Sequence, residues 1–290
     1  MDEILVSVII VNYNTKFLTR DCIISLYKHL TNHTFEIIVV DNNSSDGSVE
    51  LFNSEIPEVR VIKSDMNYGF GIANNIGVSY SKGRYILLLN SDTIINKDII
   101  DIYLKFLRRY KIQSFGVLGS LLISYDNKIV HSFGTFPFFL RNKIRNYRFL
   151  SDDKIFQQLE KSFYAQVDVV VGASMFIERS VYEQFGGFDA NIFLYEEELE
   201  LQFRMRLNGF KSFIINEKAV VHLEGQSSNN YFKRKQSFLS LCYIMKKHLN
   251  GYLYLVFRVK WIIFAIIFFK NPRISLHEKF QYLKLTIIKK

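Results

Sequence analysis

Short apolar runs and helical patterns alternate along the first 110 residues of the chain. The runs are rich in Val, Ile and Leu and cover residues 4–11, 35–40, 59–63 and 85–89. Apolar side chains at helical spacing follow them over residues 16–30, 46–54, 71–82 and 97–110. Because the runs lack strict alternation, they predict parallel strands buried on both faces of one sheet. This part of the chain is therefore predicted to be α/β, with ligands at the carboxyl ends of the strands.

The second half of the chain has a less regular pattern. Residues 115–140 predict short strands and turns, and residues 141–163 are polar without a clear period, which favours a mobile connection. A buried strand, a helix and two further strands are predicted next, over residues 167–177, 196–208, 212–215 and 218–222. No internal repeat or low-complexity tract interrupts this order.

The segment 249–269 is apolar and aromatic, and its length would suit a membrane span. Arg258 and Lys260 lie in its middle, however, and each would cost roughly 2.5–3.5 kcal/mol at the centre of a bilayer. The uninterrupted apolar piece, residues 261–269, is far shorter than the ~20 residues that a span needs. We therefore favour a helix lying at a membrane interface, with a helix packed on the preceding domain as the alternative.

The net charge of +9 is concentrated in this tail. Residues 226–290 contain 13 Lys and Arg and a single acid, a net charge of +12, whereas residues 1–225 carry 24 basic and 27 acidic residues. A slightly acidic body argues against nucleic acid as a partner, and a basic tail indicates contact with an anionic membrane surface.

The cysteines and the N-terminus indicate the cytoplasm. Cys22 and Cys242 are far apart and lack a CxxC context, which is typical of reduced thiols rather than of a disulfide framework. The first residues, MDEILVSVII, enter a strand pattern directly and lack the basic region of a signal peptide.

The stretch YILLLNSDTII (85–95) places three polar residues, Asn90, Ser91 and Asp92, at the end of a buried strand. Asn96 is the better-placed cap for the helix that follows, so Asp92 is not needed for that purpose. A turn-forming role is one explanation for Asp92. The other is a carboxylate that holds a metal–diphosphate, since Mg²⁺ on substrate phosphates usually needs only one or two protein carboxylates.

Two further loops follow predicted strands. In VVDNNSSDGS (39–48), Asp41 lies too early to cap the next helix, and a nucleotide base or ribose is a natural target for such an acceptor. In NYGFGIANNIG (67–77), the glycines do not form a dinucleotide fingerprint, because that motif opens the first strand–helix turn and ends in a third glycine. They would still allow the backbone to approach a diphosphate, or they are a flexible helix entry.

Candidate acid–base and metal groups lie further along the chain. Glu196, Glu197 and Glu198 open a predicted helix, where the helix dipole alone favours acids. Consecutive helical residues point about 100° apart, so one or two of these carboxylates could face a cleft and act as a general base. His222 ends a strand; a lone histidine is usually structural, but with a carboxylate it would suit Mn²⁺.

The order of these segments resembles the family 2 glycosyltransferases of the GT-A fold, nearest to their rhamnosyltransferase-like branch. The matching segments are VSVIIVNYN (6–14), VVDNNSSDGS (39–48), NYGFGIANNIG (67–77), LLLNSDT (87–93), VGASMFIERSVYEQFGGFDANIF (171–193), YEEELELQFR (195–204) and VVHLEGQSS (220–228). The resemblance implies a Rossmann-like, mostly parallel sheet flanked by helices, and an enzyme that inverts the anomeric centre of a nucleotide-sugar.

The resemblance also implies roles for individual residues. The nucleotide-sugar would be bound by Asn12, Asn14, Asp41, Asn67, Gly69, Asn75, Asn90, Ser91, Asp92, Gly172, Ala173, Arg204 and Arg234. Among these, Asp41 would bind the nucleobase, and Asp92 would hold Mn²⁺ or Mg²⁺ together with His222. Glu197 and Glu198 replace the family's usual Glu-Asp pair, with Glu198 in the position of the base.

Two departures from the family pattern leave alternatives. Asn90 stands where the first Asp of an Asp-x-Asp element often lies, and Glu198 is one methylene longer than the usual Asp. The choice of base between Glu197 and Glu198 is therefore open. A non-catalytic relative that binds nucleotide-sugars is the alternative function, and the position of the glycines disfavours an NAD-dependent enzyme.

We divide the chain accordingly into a catalytic domain, residues 1–225, and a basic helical tail, residues 226–290. Within the domain, residues 1–105 would bind the nucleotide-sugar and residues 106–225 the acceptor. The expected acceptor is a glycan or a lipid-linked oligosaccharide in bacterial cell-surface polysaccharide synthesis. The expected location is the cytoplasm, at the inner face of the membrane, and self-association is compatible with the sequence.

Overall fold

The computed structural model describes residues 3–223 and 230–270. The strands are β1 Val6–Asn12, β2 Phe35–Asp41, β3 Arg60–Lys63, β4 Tyr85–Asn90, β5 Thr93–Ile95, β6 Phe115–Ile123, β7 Phe133–Gly134, β8 Tyr164–Val167, β9 Val169–Val170, β10 Ser174–Glu178 and β11 Lys211–His222. The helices are α1 Lys16–His29, α2 Ser48–Glu55, α3 Phe70–Ser79, α4 Ile99–Tyr110, α5 Phe138–Arg141, α6 Asp152–Ser162, α7 Arg179–Gln184, α8 Glu197–Leu207, α9 Asn230–His248 and α10 Gly251–Lys270.

The large sheet has the strand order β3-β2-β1-β4-β10-β6-β11-β5, with β8 paired to β11. The first four strands in this order are parallel, and Asn12 lies opposite Asp41 in the pairing of β1 with β2. β10 then runs antiparallel to β4, which makes the sheet mixed. The predicted α/β architecture, a mostly parallel sheet flanked by helices, is confirmed, and several polar strand ends meet at one edge.

The residues of β1 show why this sheet is buried on both faces. Val8 and Ile10 belong to one apolar cluster, while Ile9, between them, belongs to the cluster on the opposite face. All three side chains are inaccessible to solvent. Burying an aliphatic side chain of this size stabilises a fold by roughly 1.5–3 kcal/mol, which explains the nearly continuous apolar runs.

Helix α4 differs from the sequence-based expectation at its first turn. It begins at Ile99, and its cap is Asp98, whose carboxylate accepts a 3.0 Å hydrogen bond from the backbone of Asp101. Asn96 is not the cap. It continues the pairing of β5 with β11 instead, since its backbone N–H donates a 3.1 Å hydrogen bond to the carbonyl of Ala219. The expectation for Asn96 was wrong, although Asp92 is still not the cap.

Two other expectations for the second half are corrected. Residues 141–163 contain the helix α6, which buries Ile155 and Leu159, one turn apart. The two strands expected over residues 212–215 and 218–222 form one strand, β11, whose register with β6 shifts between Ile215 and Val220.

The helices α9 and α10 pack on the body through a third apolar cluster. Its buried members come from α5, α8, α9, α10 and nearby loops, and they are Phe136, Leu140, Ile144, Val169, Ile192, Leu199, Phe203, Ile244, Met245, Leu249 and Phe257. In the part of the chain that the structure describes, no helix is both long and apolar enough to cross a membrane. The proposed boundary at residue 225 stays a prediction.

Candidate active site

A cavity of about 530 Å³ opens at the carboxyl ends of β1, β2 and β4, and we call it the sheet-edge cavity. Its lining residues are Val11, Tyr13, Thr15, Leu18, Asn42, Asn67, Gly69, Phe70, Asn90, Ser91, Asp92, Phe193, Leu194, Tyr195 and Phe232. The predicted site residues Asn67, Gly69 and the Asn90–Asp92 cluster are thus brought together. The aromatic walls and few polar groups are typical of a site for an organic ligand.

Asp41 lies below this cavity rather than at its surface. Its carboxylate is fully buried and accepts hydrogen bonds from the side chain of Asn12 at 2.7 Å and from the backbone of Ser44 at 3.1 Å. The carbonyl oxygen of the Asn12 side chain in turn accepts hydrogen bonds from Thr15 and Thr19. Both side chains hold the loops in place in this structure, and their direct contact with the ligand stays a prediction.

Asn14 has the same kind of structural role. Its backbone adopts φ 54, and its side chain accepts a 2.8 Å hydrogen bond from the backbone of Ser45. This contact ties the loop after β1 to the loop after β2. Asn14 is likewise absent from the lining of the cavity.

Asn42, which the sequence reasoning passed over, is the residue of this motif that lines the cavity. Its side chain donates to Asn67 at 2.9 Å and to the carbonyl of Gly69 at 3.2 Å, and it accepts from the backbone of Tyr68 at 3.0 Å. Asn42 therefore fixes the start of the segment 67–77, which we call the glycine loop, against β2. Its position directly after Asp41 at a strand end was the available signal.

The glycine loop also contacts the loop before α8. Gly69 has φ 83, and a Cβ there would lie 2.0 Å from the carbonyl oxygen of Phe193. The absence of a side chain allows the backbone N–H of Phe70 to donate to that carbonyl at 3.0 Å. Gly69 is thus required both by its backbone conformation and by this close approach.

Asp92 and His222 are neighbours in space although they are 130 residues apart in sequence. His222 pairs with Thr93 in the ladder between β11 and β5, and the backbone of Leu223 donates to the carbonyl of Asp92 at 2.9 Å. As a result, the Asp92 carboxylate lies 3.4 Å from His222 Nε2. The expected pairing of these side chains is therefore present.

The oxygen and nitrogen atoms near Asp92 are suitable ligands for a divalent cation. The side-chain oxygen of Asn90 is buried and has no hydrogen-bond partner among the described residues. A carboxylate, an imidazole and an amide oxygen are acceptable ligands for Mn²⁺ or Mg²⁺ when substrate phosphates supply the others. Within residues 3–223 and 230–270, no group of three or more His, Cys, Asp or Glu side chains could hold a metal alone.

The three consecutive glutamates have different environments. Tyr195 and Glu196 adopt left-handed backbone conformations, with φ 65 and 69, and α8 begins at Glu197. Glu197 is almost fully buried, and burial, followed by the neighbouring charge of Glu198, raises its pKa well above the usual range. Burial therefore favours the neutral form of Glu197, and its side chain is absent from the lining of the sheet-edge cavity.

Glu198 is the better candidate for a base. It is half-buried, and burial, followed by the charge of Glu196, raises the pKa of its carboxyl to about 7. A Cβ on Gly172 would lie 3.8 Å from the Glu198 carboxyl carbon and 3.7 Å from the ring of Phe70, which lines the cavity. A carboxyl with a pKa near the working pH, next to a cavity, is suited to general base catalysis.

Three further predicted residues lie elsewhere. Arg204 is held by Glu200 at 2.8 Å and by the carbonyls of Phe185 and Gly187, and its contact with a diphosphate stays a prediction. Asn75 holds Phe188 and Tyr182 through its side chain, which explains its absence from the cavity. Ala173 is buried under Asn90, and its carbonyl accepts a 3.0 Å hydrogen bond from the Asn90 backbone.

The helix α9 contributes to the site, and the sequence analysis had named only Arg234 from this segment. Phe232 lines the cavity, and Arg234 lies exposed on the same helix two residues further on. Ser240 donates to the carbonyl of Leu194, another lining residue, at 3.0 Å. No sequence pattern indicated these contacts, because they join segments about 40 residues apart.

Solved structures with the same fold are glycosyltransferases of the GT-A class. TarS 1–349 of S. aureus, in complex with UDP-GlcNAc, superposes with a TM-score of 0.60 at 15% identity, over 97% of this chain and 79% of that one. The mannosyltransferase PcManGT of Pyrobaculum calidifontis, in complex with GDP-Man and Mn²⁺, gives a TM-score of 0.57 at 17% identity, over 83% and 63%. At these identities the likeness establishes the fold. The protein is thus of the GT-A class.

The sequence profile of Glycosyl transferase family 2 matches residues 7–186, well over half of the chain. The chain belongs to glycosyl transferase family 2. Because the profile covers β1 to α7, it includes Asp41, the glycine loop and Asp92, but it ends before Glu197 and Glu198.

Three curated relatives carry activities in their names. The low-salt glycan biosynthesis hexosyltransferase Agl10 of Haloferax volcanii is 30% identical over 69% of this chain and 61% of its own length. Rhamnosyltransferase WbbL of Escherichia coli is 27% identical over 58% and 65%. The N-acetylglucosaminyl-diphospho-decaprenol L-rhamnosyltransferase of Mycobacterium tuberculosis is 24% identical over 68% and 69%. The chain spans between 33% and 65% of the lengths of the first three curated relatives that it matches.

Proposed function

We propose that this protein is an inverting glycosyltransferase that moves a sugar from a nucleotide-diphosphate sugar to a hydroxyl of a glycan or lipid-linked acceptor in polysaccharide synthesis. The observation that carries the proposal is the Asp92 carboxylate, which lines the sheet-edge cavity and lies 3.4 Å from His222. The family supports the nucleotide-sugar class. The names of the relatives support a rhamnose-like sugar and a diphospho-lipid acceptor.

In the proposed reaction, Glu198 accepts the proton of the acceptor hydroxyl. The acceptor oxygen then attacks the anomeric carbon from the face opposite the diphosphate, and the bond between that carbon and the diphosphate oxygen breaks. The electron pair of that bond leaves with the nucleoside diphosphate. A raised pKa suits Glu198 for this task, because the carboxylate must be ionised before transfer and must retain the proton during it.

A divalent cation belongs to the same proposal. Asp92 and His222 would hold it, and the unpartnered amide oxygen of Asn90 is a third candidate ligand. When bound, Mn²⁺ or Mg²⁺ would neutralise the negative charge that builds on the leaving diphosphate. An amide in place of a first carboxylate leaves one negative charge fewer at the site, which we expect to weaken metal binding in the absence of donor.

The decisive experiment is a donor panel. Thermal unfolding is measured with UDP-, dTDP- and GDP-sugars, with and without Mn²⁺, and release of the nucleoside diphosphate is then assayed with a diphospho-lipid acceptor. We expect one donor to raise Tm more strongly with Mn²⁺ present and to be consumed. Binding without any transfer would support the non-catalytic alternative, and a Tm shift with NADH alone would overturn the proposal.

A further inference from the structure

The helix α10 is packed on one side and exposed on the other. Phe257 is buried in the third apolar cluster, Leu253 and Tyr254 pack against it, and Trp261 stacks on Phe238 of α9 with ring centroids 4.5 Å apart. The opposite side carries the exposed apolar residues Tyr252, Leu255, Val259, Ile262 and Ile263, which we call the outer stripe. The outer stripe residues are between 44% and 74% exposed.

The outer stripe is a narrow, continuous face. At about 100° per residue, its five members fall within an arc of roughly 100° around the helix axis. Arg258 and Lys260 lie on opposite sides of the stripe, each about 90–110° from its centre. Phe138 of α5 is 61% exposed, and Lys260 Nζ lies 5.6 Å from the centre of its ring, so the apolar surface continues from α10 to α5. An apolar stripe between two basic side chains is the pattern of a helix at a bilayer surface, where long cations reach the headgroups.

Charge decides which partner this face fits. The segment 230–270 contains eight Lys and Arg and no acidic residue. A second copy of the same face would bring basic helices together, whereas an anionic lipid surface attracts each basic residue near it. We propose that the outer stripe of α10, with Phe138, is a docking surface for an anionic membrane. The helix then lies parallel to the bilayer while its inner side stays packed on the domain.

Vesicle sedimentation measures this docking with the full chain. The full chain is incubated with vesicles of phosphatidylcholine, alone or mixed with phosphatidylglycerol, and bound protein is separated by sedimentation. We expect binding to the anionic vesicles to be at least about tenfold tighter. We expect it to weaken as salt rises.

A pair of matched variants tests the stripe itself. Leu255→Ser with Ile263→Ser removes two stripe residues, 60% and 50% exposed, and Ile24→Ser with Met66→Ser removes two apolar residues of similar exposure, 51% and 54%, outside α9 and α10. All four side chains are half-exposed or more, so Tm is expected to stay close to that of the unchanged chain. Only the stripe variant is expected to lose binding, by about tenfold or more.

Two outcomes would overturn this proposal, and neither depends on sugar transfer. They are equal binding to neutral and anionic vesicles, and equal binding by the two variants. A concentration-dependent dimer that the stripe variant loses, without vesicle binding, would assign the face to a second copy. If the unchanged chain binds vesicles but transfers no sugar, that result would count against the proposed function alone.

Discussion

Ser237 of α9 donates a 2.6 Å hydrogen bond to the carboxylate of Glu196, the residue immediately before the two candidate bases. Burial raises the pKa of Glu196, and this hydrogen bond partly offsets that effect. The charge of Glu196 in turn contributes to the raised pKa of Glu198. A side chain of the C-terminal helices thus influences the protonation of the candidate base through one intervening carboxylate.

The pH dependence of the reaction should respond to Ser237→Ala. For the unchanged enzyme we expect kcat/KM to rise with pH and to be half-maximal near pH 7, because the pKa of Glu198 is about 7 and its carboxylate form is the base. Without the hydrogen bond, Glu196 is neutral over more of the pH range, so the pKa of Glu198 falls. The midpoint should therefore move to lower pH. Because a carboxylate with a lower pKa is a weaker base, kcat/KM at high pH should also fall, by about two- to tenfold.

A pH–rate profile of Ser237→Ala beside Ser237→Thr checks this relation. Thr retains the hydroxyl, so its midpoint should match that of the unchanged enzyme. An identical midpoint in all three proteins would show that Ser237 only supports the helix.

Substitution of the two glutamates by Gln should separate the base from its neighbour. Glu198→Gln removes the proton acceptor, and we expect kcat to fall by about 10²–10⁴-fold with donor affinity unchanged. Glu197 is buried, and burial raises its pKa well above the usual range, which favours the neutral form that Gln resembles. Glu197→Gln should therefore keep most of the activity. Steady-state kinetics and donor titrations of both variants provide the measurement. The opposite order of effects would make Glu197 the base.

Asp92→Asn should uncouple the donor from the metal. The variant keeps the shape of the side chain but removes its charge beside His222, so we expect transfer to fall by at least about 10²-fold. The extra rise in Tm that Mn²⁺ gives with donor should disappear. Asp21→Asn, at an exposed carboxylate on α1, is the control and should behave as the unchanged enzyme. Near-normal turnover by Asp92→Asn would exclude a metal held there.

Glu200→Gln should be strongly destabilising. Glu200 is inaccessible to solvent and receives hydrogen bonds from Arg204, Lys247 and His248. Removal of its charge leaves the partly buried Arg204 without a carboxylate partner among the described residues, and Lys247 keeps only Asp189. We expect a loss of about 3–5 kcal/mol in the free energy of unfolding. Glu183→Gln is the matched control, since Glu183 pairs with Arg179 at the same spacing on an exposed helix face, and should cost only about 0–1 kcal/mol. Urea unfolding at pH 7 compares the two.

The same carboxylate should make the stability of the fold pH-dependent in acid. Burial alone would raise the pKa of Glu200, but hydrogen bonds from His248 and Arg204 outweigh it and lower the pKa to about 2. The folded-state pKa of Glu200 is below the ordinary value of 4.5. The stabilisation that the ionised carboxylate gives to the fold is therefore fully present above pH 4.5 and is lost as pH falls toward 2. Unfolding curves at several pH values in this window should show a steeper fall for the unchanged chain than for Glu200→Gln.

The parallel part of the fold could be predicted because each apolar run is long enough to be a buried strand. Between the runs, apolar side chains recur at helical spacing. The mixed part could not, since nothing local states that β10 enters antiparallel between β4 and β6. Helix α6 was missed although Ser151 and the two acids after it are a helix-start signal.

The site could be predicted where motifs end at the edge of the sheet. Asp92 and His222 meet because His222 pairs with Thr93, the residue after Asp92. The family resemblance had implied that these two side chains bind one metal. The hydrogen bond from Asn12 to the buried carboxylate of Asp41 could not be predicted, because a sequence does not show which side chains meet across neighbouring strands. Arg204 has Glu200 four residues before it, a spacing that favours a pair within one helix over a contact with a ligand. The contacts of α9 depend on tertiary packing alone.

The hydrogen bond from Phe70 to Phe193 has a mechanical consequence. It joins, backbone to backbone, the loop on the nucleotide side of the cavity and the loop that leads into α8. With no side chain on Gly69 between them, neither loop can shift outward unless this bond breaks. Because Phe70 and Phe193 both line the sheet-edge cavity, we expect ligand binding that displaces one loop to move the other, which leads into α8 and Glu198.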